Sequence, residues 1–194
     1  MLKGPQVDLT VPVSRARARN NRLPNYLRIF TDRPVENFLT RVLSVRSRID
    51  QLALISPYIG LLNDTQATLE QLLHKIDREH IRTTVITTAP TDSPNTQRAA
   101  LDLVNTSDYT QIYFNPALHA KLYICSGQGI GFALFGSGNL TQTSVNQKIE
   151  LGMLVSEFQE GGPIFKSLEK WGLHHLRVSD GTVRIKDFNK RGRF

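Results

Sequence analysis

The sequence predicts an α/β domain in which at least part of the sheet is parallel. Three observations predict it. Short apolar runs bounded by turn residues alternate with amphipathic helical stretches as far as residue 114, the pattern that strand–helix–strand units leave in a sequence. At 194 residues the chain is near the size of one domain and long enough to bury a sizeable core. Its 40% hydrophobic and 21% charged residues are those of a globular chain.

Residues 1–22 alternate arginine with small residues (Ser14-Arg15-Ala16-Arg17-Ala18-Arg19) without core periodicity, and read as an extended or disordered basic arm. Leu27 to Phe30 is a short strand. Thr31-Asp32-Arg33-Pro34 reads as a helix start, with a capping side chain and a proline in the first turn. Val35, Phe38, Leu39, Val42 and Leu43 then recur at helical spacing. The run Leu52 to Ile59 is bounded by turn chemistry and predicts a buried strand. Asn63-Asp64-Thr65 reads as the cap of a second helix, whose apolar face is Leu69, Leu72, Leu73 and Ile76.

Ile81 to Thr88 is the next strand, Ser93-Pro94 starts a third helix carrying Ala100, Leu101 and Val104, and Gln111 to Phe114 is a further strand leading toward His119. Beyond residue 148, Ile149 to Val155 reads as a strand. Pro163 to Trp171 reads as a helix with Ile164, Phe165, Leu168 and Trp171 toward the core. Leu176-Arg177-Val178 and Thr182-Val183-Arg184-Ile185 flank Asp180-Gly181, a hairpin signal. The organisation expected is an arm over 1–22, one folded domain over 23–178, and a basic hairpin and tail over 179–194.

The formal charge of +7 is unevenly placed. Residues 1–22 and 184–194 each carry a net +4, which leaves the body between them near −1. Basic ends on a nearly neutral body suit the gripping of a polyanion, with Arg15, Arg17, Arg19, Lys190, Arg191 and Arg193 as the candidate contacts. No apolar stretch approaches the roughly 20 residues that span a bilayer, and the N-terminus lacks the apolar segment of a signal peptide. The one cysteine, Cys125, forms no internal disulfide. A cytoplasmic protein without a membrane partner is expected.

The chemistry concentrates between His119 and Glu150, in HAKLYICSGQGIGFALFGSGNLTQTSVNQKIE. On an extended segment His119 and Lys121 share a face while Ala120 points away. The run Ile130 to Phe135 ends in Gly136-Ser137-Gly138-Asn139, a turn able to aim N–H groups, a hydroxyl and an amide at an oxyanion. Glu150 follows in an apolar segment. An imidazole, an ammonium and a donor-rich turn make a phosphate site with its own nucleophile or acid. His74 and His80 lack ligand spacing, and the adjacent His174 and His175 face opposite ways. No metal site and no cofactor are therefore expected.

These residues resemble the signature of the phospholipase D superfamily: H-x-K, then an Asp, then G-S-x-N, then an acidic residue. His119, Lys121, Gly136, Ser137, Asn139 and Glu150 match it, and Ser126 stands where the Asp is usual. The resemblance covers roughly residues 50–155 and implies a mixed sheet with helices on both faces, here carrying the catalytic domain. It implies catalytic roles for His119, Lys121, Asn139 and Glu150, and phosphate binding by Lys121, Ser137 and Asn139. His119 would attack phosphorus, and a second imidazole would protonate the leaving group. Two motifs are needed and this chain has one, so the resemblance to single-motif nucleases implies a homodimer with both His119 side chains in one cleft.

The expectation is a metal-independent endonuclease, of bacterial nuclease or restriction type, acting on double-stranded DNA. The alternatives are a phospholipase or other phosphodiesterase, which calls for an apolar entrance, and a non-catalytic nucleic-acid-binding module of the same fold.

Overall fold

The computed structural model describes residues 23–90, 95–146 and 149–185. Arg15, Arg17, Arg19, Lys190, Arg191 and Arg193 lie outside the described residues, as does the Ser93-Pro94 helix start. The elements are β1 (Leu27–Phe30), α1 (Pro34–Ser44), β2 (Ile49–Ile55), α2 (Leu69–Glu79), β3 (Arg82–Thr87), α3 (Asn95–Val104), β4 (Thr110–Phe114), β5 (Leu122–Gly127), β6 (Ile130–Gly136), α4 (Gln142–Asn146), β7 (Gly152–Ser156), α5 (Gly162–Lys170) and β8 (Val183–Ile185).

The eight strands form one mixed sheet in the order β1-β7-β6-β5-β2-β3-β4-β8. Only β2, β3 and β4 run parallel to their neighbours in that group, and every other pairing is antiparallel. Alternation on β5 divides the core in two. Tyr123 and Cys125 face one cluster with Phe38, Leu72 and Leu101, while Leu122 and Ile124 face another with Phe165 and Leu173. Helices α1, α2 and α3 therefore cover one face, and α5 with the turn after it covers the other. Both faces of the parallel strands are covered, so Leu52, Ala53, Leu54 and Ile55 are buried in succession.

Several expectations need correction. The strand read from Leu52 to Ile59 starts at Ile49 and stops at Ile55. Pro57 has no N–H to give a ladder, and only an isolated bridge from Ile59 to Leu140 follows. Helix α1 has no side-chain cap. Its first turn follows Arg33, left-handed at φ 43, and Pro34 at the first position needs no acceptor. The cap of α2 is not Asn63-Asp64-Thr65 but Thr68, which forms a reciprocal capping box with Gln71. The buried Lys75 ammonium of this helix donates to Val45 O at 3.0 Å and pairs with Glu79 at 3.0 Å, tying α2 to the end of α1.

The C-terminal hairpin is absent from the described residues. Leu176–Val178 is a 3-10 turn continuing from α5 through a π-helical turn, Trp171–His175. Leu176 is buried, and its carbonyl accepts from the Ser179 and Thr182 hydroxyls at 2.8 and 2.9 Å. The chain thus cannot extend there, and β8 joins the sheet alone beside β4. On α5 the apolar face is narrower than its sequence suggests. Phe165 is fully buried, whereas Ile164 and Trp171 stand 43% and 39% exposed. No helix among the described residues is long and apolar enough to cross a membrane.

Helix α1 lies close against the sheet where β7 begins. A Cβ at Gly152 would meet Pro34 Cβ at 2.3 Å and Leu134 Cδ1 at 3.0 Å. Gly152→Ala is therefore expected to cost about 1–3 kcal/mol through overpacking. Urea unfolding checks this by a lowered midpoint at unchanged slope; an unchanged midpoint would mean that α1 yields freely.

Candidate active site

The sheet brings the four parts of the motif to one end. Ile55 ends β2 opposite Leu122, the first residue of β5, and Leu122 pairs with Phe135 of β6. Gly136 then pairs with Gly152, the first residue of β7. The segments holding Lys121, Ser137 and Glu150 therefore leave the sheet side by side, next to the end of the parallel strands, where α/β sheets place their ligands.

His119 and Lys121 occupy the run into β5 rather than the strand itself. The ladder still reaches Lys121, whose carbonyl accepts from Gly136 N at 3.4 Å. Lys121 is half-buried as a residue, but its ammonium is exposed and donates to His119 O at 3.0 Å. His119 is exposed, and its ring has no hydrogen-bond partner among the described residues. An imidazole so placed is open to substrate.

The Gly-Ser-Gly-Asn turn is fastened at every residue. A Cβ at Gly136 would meet Leu151 O at 2.1 Å, so only glycine lets these backbones approach. Ser137 N donates to Leu151 O at 2.9 Å, and Leu151 N donates to Ser137 Oγ at 3.0 Å. The Ser137 hydroxyl donates to the Glu150 carboxylate, which is buried. The Tyr123 hydroxyl donates to Gly138 O at 2.8 Å. Asn139 N donates to Ser144 Oγ at 3.2 Å.

Ser56, at the end of β2, joins the turn to the parallel strands. It accepts from Leu140 N at 3.1 Å and lies 2.7 Å from Tyr58 O and 3.4 Å from Asn139 Oδ1. Its single proton belongs to the nearer acceptor. The amide nitrogen of Asn139 has no partner among the described residues and remains available to an anion.

The Glu150 carboxylate thus orients Ser137, and no hydrogen bond joins it to the His119 ring. Ser137 spends its proton on Glu150, which leaves Lys121 and Asn139 as the groups with donors to offer. Burial, with the Glu150 charge acting in the same sense, holds the Tyr123 phenol well above its ordinary pKa, so it remains a donor to Gly138 O. Tyr123, Ser56 and Ser144 were not legible as site residues. The one signal was alternation, since Tyr123 lies two residues after Lys121 in a series that shares a face.

Ser126, in place of the usual Asp, sits near the far end of β5, roughly 16 Å of strand beyond Lys121. It touches none of this machinery. Cys125 is equally remote in function: burial pushes its thiol up to about 12, so it is not a nucleophile. Among the described residues no three His, Cys, Asp or Glu side chains converge as a metal site would require. A cavity of about 510 Å³ opens beside Asn139, between the segment after β2 and the start of α4.

No protein-family model and no curated protein matches the chain. Solved structures do. Nuc from Salmonella typhimurium, a phospholipase D family member, superposes with a TM-score of 0.55 over 82% of this chain and 98% of that one, at 11% identity. The fold is phospholipase D-like. NucT from Helicobacter pylori superposes equally well, with a TM-score of 0.55, the same coverages and 10% identity. Polyphosphate kinase from Porphyromonas gingivalis superposes over 24% of its length, covering 82% of this chain with a TM-score of 0.50 and 12% identity. At such identities the likeness is one of fold.

Tyr123→Phe deletes the one donor aimed at Gly138 O among the described residues without emptying the core. It is expected to cost about 1–3 kcal/mol, the penalty of an unpaired buried carbonyl. Urea unfolding at neutral pH measures it, and wild-type stability in the variant would show that the turn stands without this support.

Proposed function

We propose that the chain is a metal-independent phosphodiesterase, an endonuclease that hydrolyses DNA through a phosphohistidine at a site shared by two chains. The observation that carries the reading is the gathering of His119, Lys121, Asn139 and Glu150 at one end of a phospholipase D-like sheet. The basic residues of the two termini favour a polyanionic substrate over a lipid. Double-stranded DNA and the restriction-type branch of the superfamily are part of this proposal.

In the first step a neutral His119 nitrogen attacks phosphorus as the bond to the leaving oxygen breaks. That oxygen takes a proton from the partner's His119. In the second step water attacks phosphorus and displaces the histidine, giving its proton to the partner's imidazole, and both rings return to their starting state. Lys121 and the Asn139 amide neutralise charge on the phosphoryl oxygens. Glu150 acts through Ser137 on the shape of the turn.

One chain carries one such imidazole, so the scheme needs a second copy. Ile149 and Leu151, on either side of Glu150, stand 97% and 59% exposed at this end of the molecule. Apolar side chains presented beside an incomplete site suit contact with a partner.

Hydrolysis of a duplex DNA substrate is expected to survive excess EDTA and to fall by at least a thousandfold in His119→Ala, whose fold and binding persist. Activity lost to EDTA and restored by Mg²⁺ would overturn the mechanism. A second test addresses assembly. Light scattering is expected to give twice the chain mass, and Ile149→Asp with Leu151→Asp to lower mass and activity together. A fully active monomer would exclude the shared site.

A further inference from the structure

The cavity beside Asn139 has no role in the chemistry above. Among the described residues its lining contains one charged side chain, the Asp64 carboxylate, and no Lys, Arg or His. A second phosphate would be repelled there. A neutral group with hydrogen-bonding edges would not.

Its prominent wall is Tyr58, 51% exposed. The backbone carrying that ring is fixed. Tyr58 O accepts from Ser56 at 2.7 Å, and Pro57 O accepts from the Thr87 and Thr88 hydroxyls at 3.0 and 2.6 Å. The ring thus projects from anchored backbone with about half of the residue open, and Ser56 ties that backbone to the turn that holds Asn139. The opposite wall is tied as well. Asp64 N donates to Gln142 Oε1 at 3.3 Å, and Asn146 Nδ2 donates to Asp64 O at 2.9 Å. The Asp64 carboxylate itself has no hydrogen bond or ion pair among the described residues.

We propose that this cavity takes an unpaired nucleobase from the nucleotide next to the scissile phosphate, stacked on Tyr58 with its amino edge toward Asp64. The proposal rests on the phosphodiesterase reading above. Phosphate at Lys121 and Asn139 places the neighbouring nucleoside within reach of a pocket that shares Asn139. Stacking on an ordered aromatic is the general means of holding a single-stranded base. A volume of about 510 Å³ lies in the range of small-ligand sites and accommodates one nucleoside, not a duplex. A base in a duplex must therefore leave its stack to enter. Tyr58 and Asp64 also suit a quaternary ammonium, but one aromatic wall falls short of a cage, and the amides at Asn63 and Gln142 match the edge of a heterocycle.

Two measurements test it. In the first, a single strand carrying 2-aminopurine is bound to the inactive His119→Ala protein and its fluorescence followed. Quenching is expected, with affinity about tenfold weaker when Tyr58→Ala is added and retained with Tyr58→Phe. In the second, wild-type protein is expected to cleave an intact single strand about tenfold faster in kcat/KM than a strand with abasic residues around the scissile bond. That preference collapses toward one in Tyr58→Ala. Equal rates on the two strands, a preference indifferent to Tyr58, or displacement of the probe by phosphocholine but not by nucleoside monophosphate would overturn the proposal. Absence of any cleavage would count against the phosphodiesterase reading, while the fluorescence experiment would still report on the cavity.

Discussion

The site end of this molecule depends on the register of three antiparallel strands. Leu122 opposite Phe135, and Gly136 opposite Gly152, set Lys121, Ser137 and Glu150 abreast although up to 29 positions separate them in sequence. A slip of one residue would turn Tyr123 from the larger core cluster to the smaller and carry Lys121 with it. The register is guarded from both sides. Tyr123, Phe132 and Leu134 pack beneath α1, while Ile124, Ala133 and Val155 pack beneath α5. Glycines at 136 and 152 allow backbone and helix to approach where any side chain would collide.

Within that frame the work is divided between groups that face the solvent and groups that hold them. His119 is exposed and Asn139 has an idle amide nitrogen, so both are open to substrate. Glu150 and Tyr123 are buried and bond to the turn itself. Two polar side chains beneath four residues of backbone convert a flexible Gly-Ser-Gly sequence into a preorganised one. The order resides in the support, because glycine has no conformational preference of its own to contribute.

Much of the fold was legible because it follows from periodicity. The apolar faces of α1 and α2, the strands β3 and β4, and the strand–helix alternation that leads to parallel pairing were all carried by local patterns. The readings that failed depended on competition between local signals. Asn63-Asp64-Thr65 has cap chemistry, but Thr65 Oγ1 lies 2.9 Å from both Leu62 O and Ala67 O and so closes a loop, while Thr68 and Gln71 form the actual cap. Asp180-Gly181 has hairpin chemistry, but the burial of Leu176 keeps the preceding segment helical. At the candidate site, spacing singled out His119, Lys121, Asn139 and Glu150. It did not reveal that Glu150 bonds to Ser137, since a contact across 13 residues is created by register and has no local signature.

The sheet changes character between β5 and β2. On one side, antiparallel strands with short connections deliver the motif; on the other, parallel strands end in the longer segment that includes Tyr58 and Asp64. Ser56, the Ile59–Leu140 bridge and the hydrogen bonds of Asp64 to Gln142 and Asn146 stitch the two halves at this end. In the proposal above, the reacting groups and most of the pocket wall come from different stretches of chain, which meet at Asn139. The loop after β2 can drift by substitution, insertion or exchange while β5, β6 and β7 keep their pairing, which would make the proposed ligand preference the more evolvable of the two traits and a natural target for loop grafting.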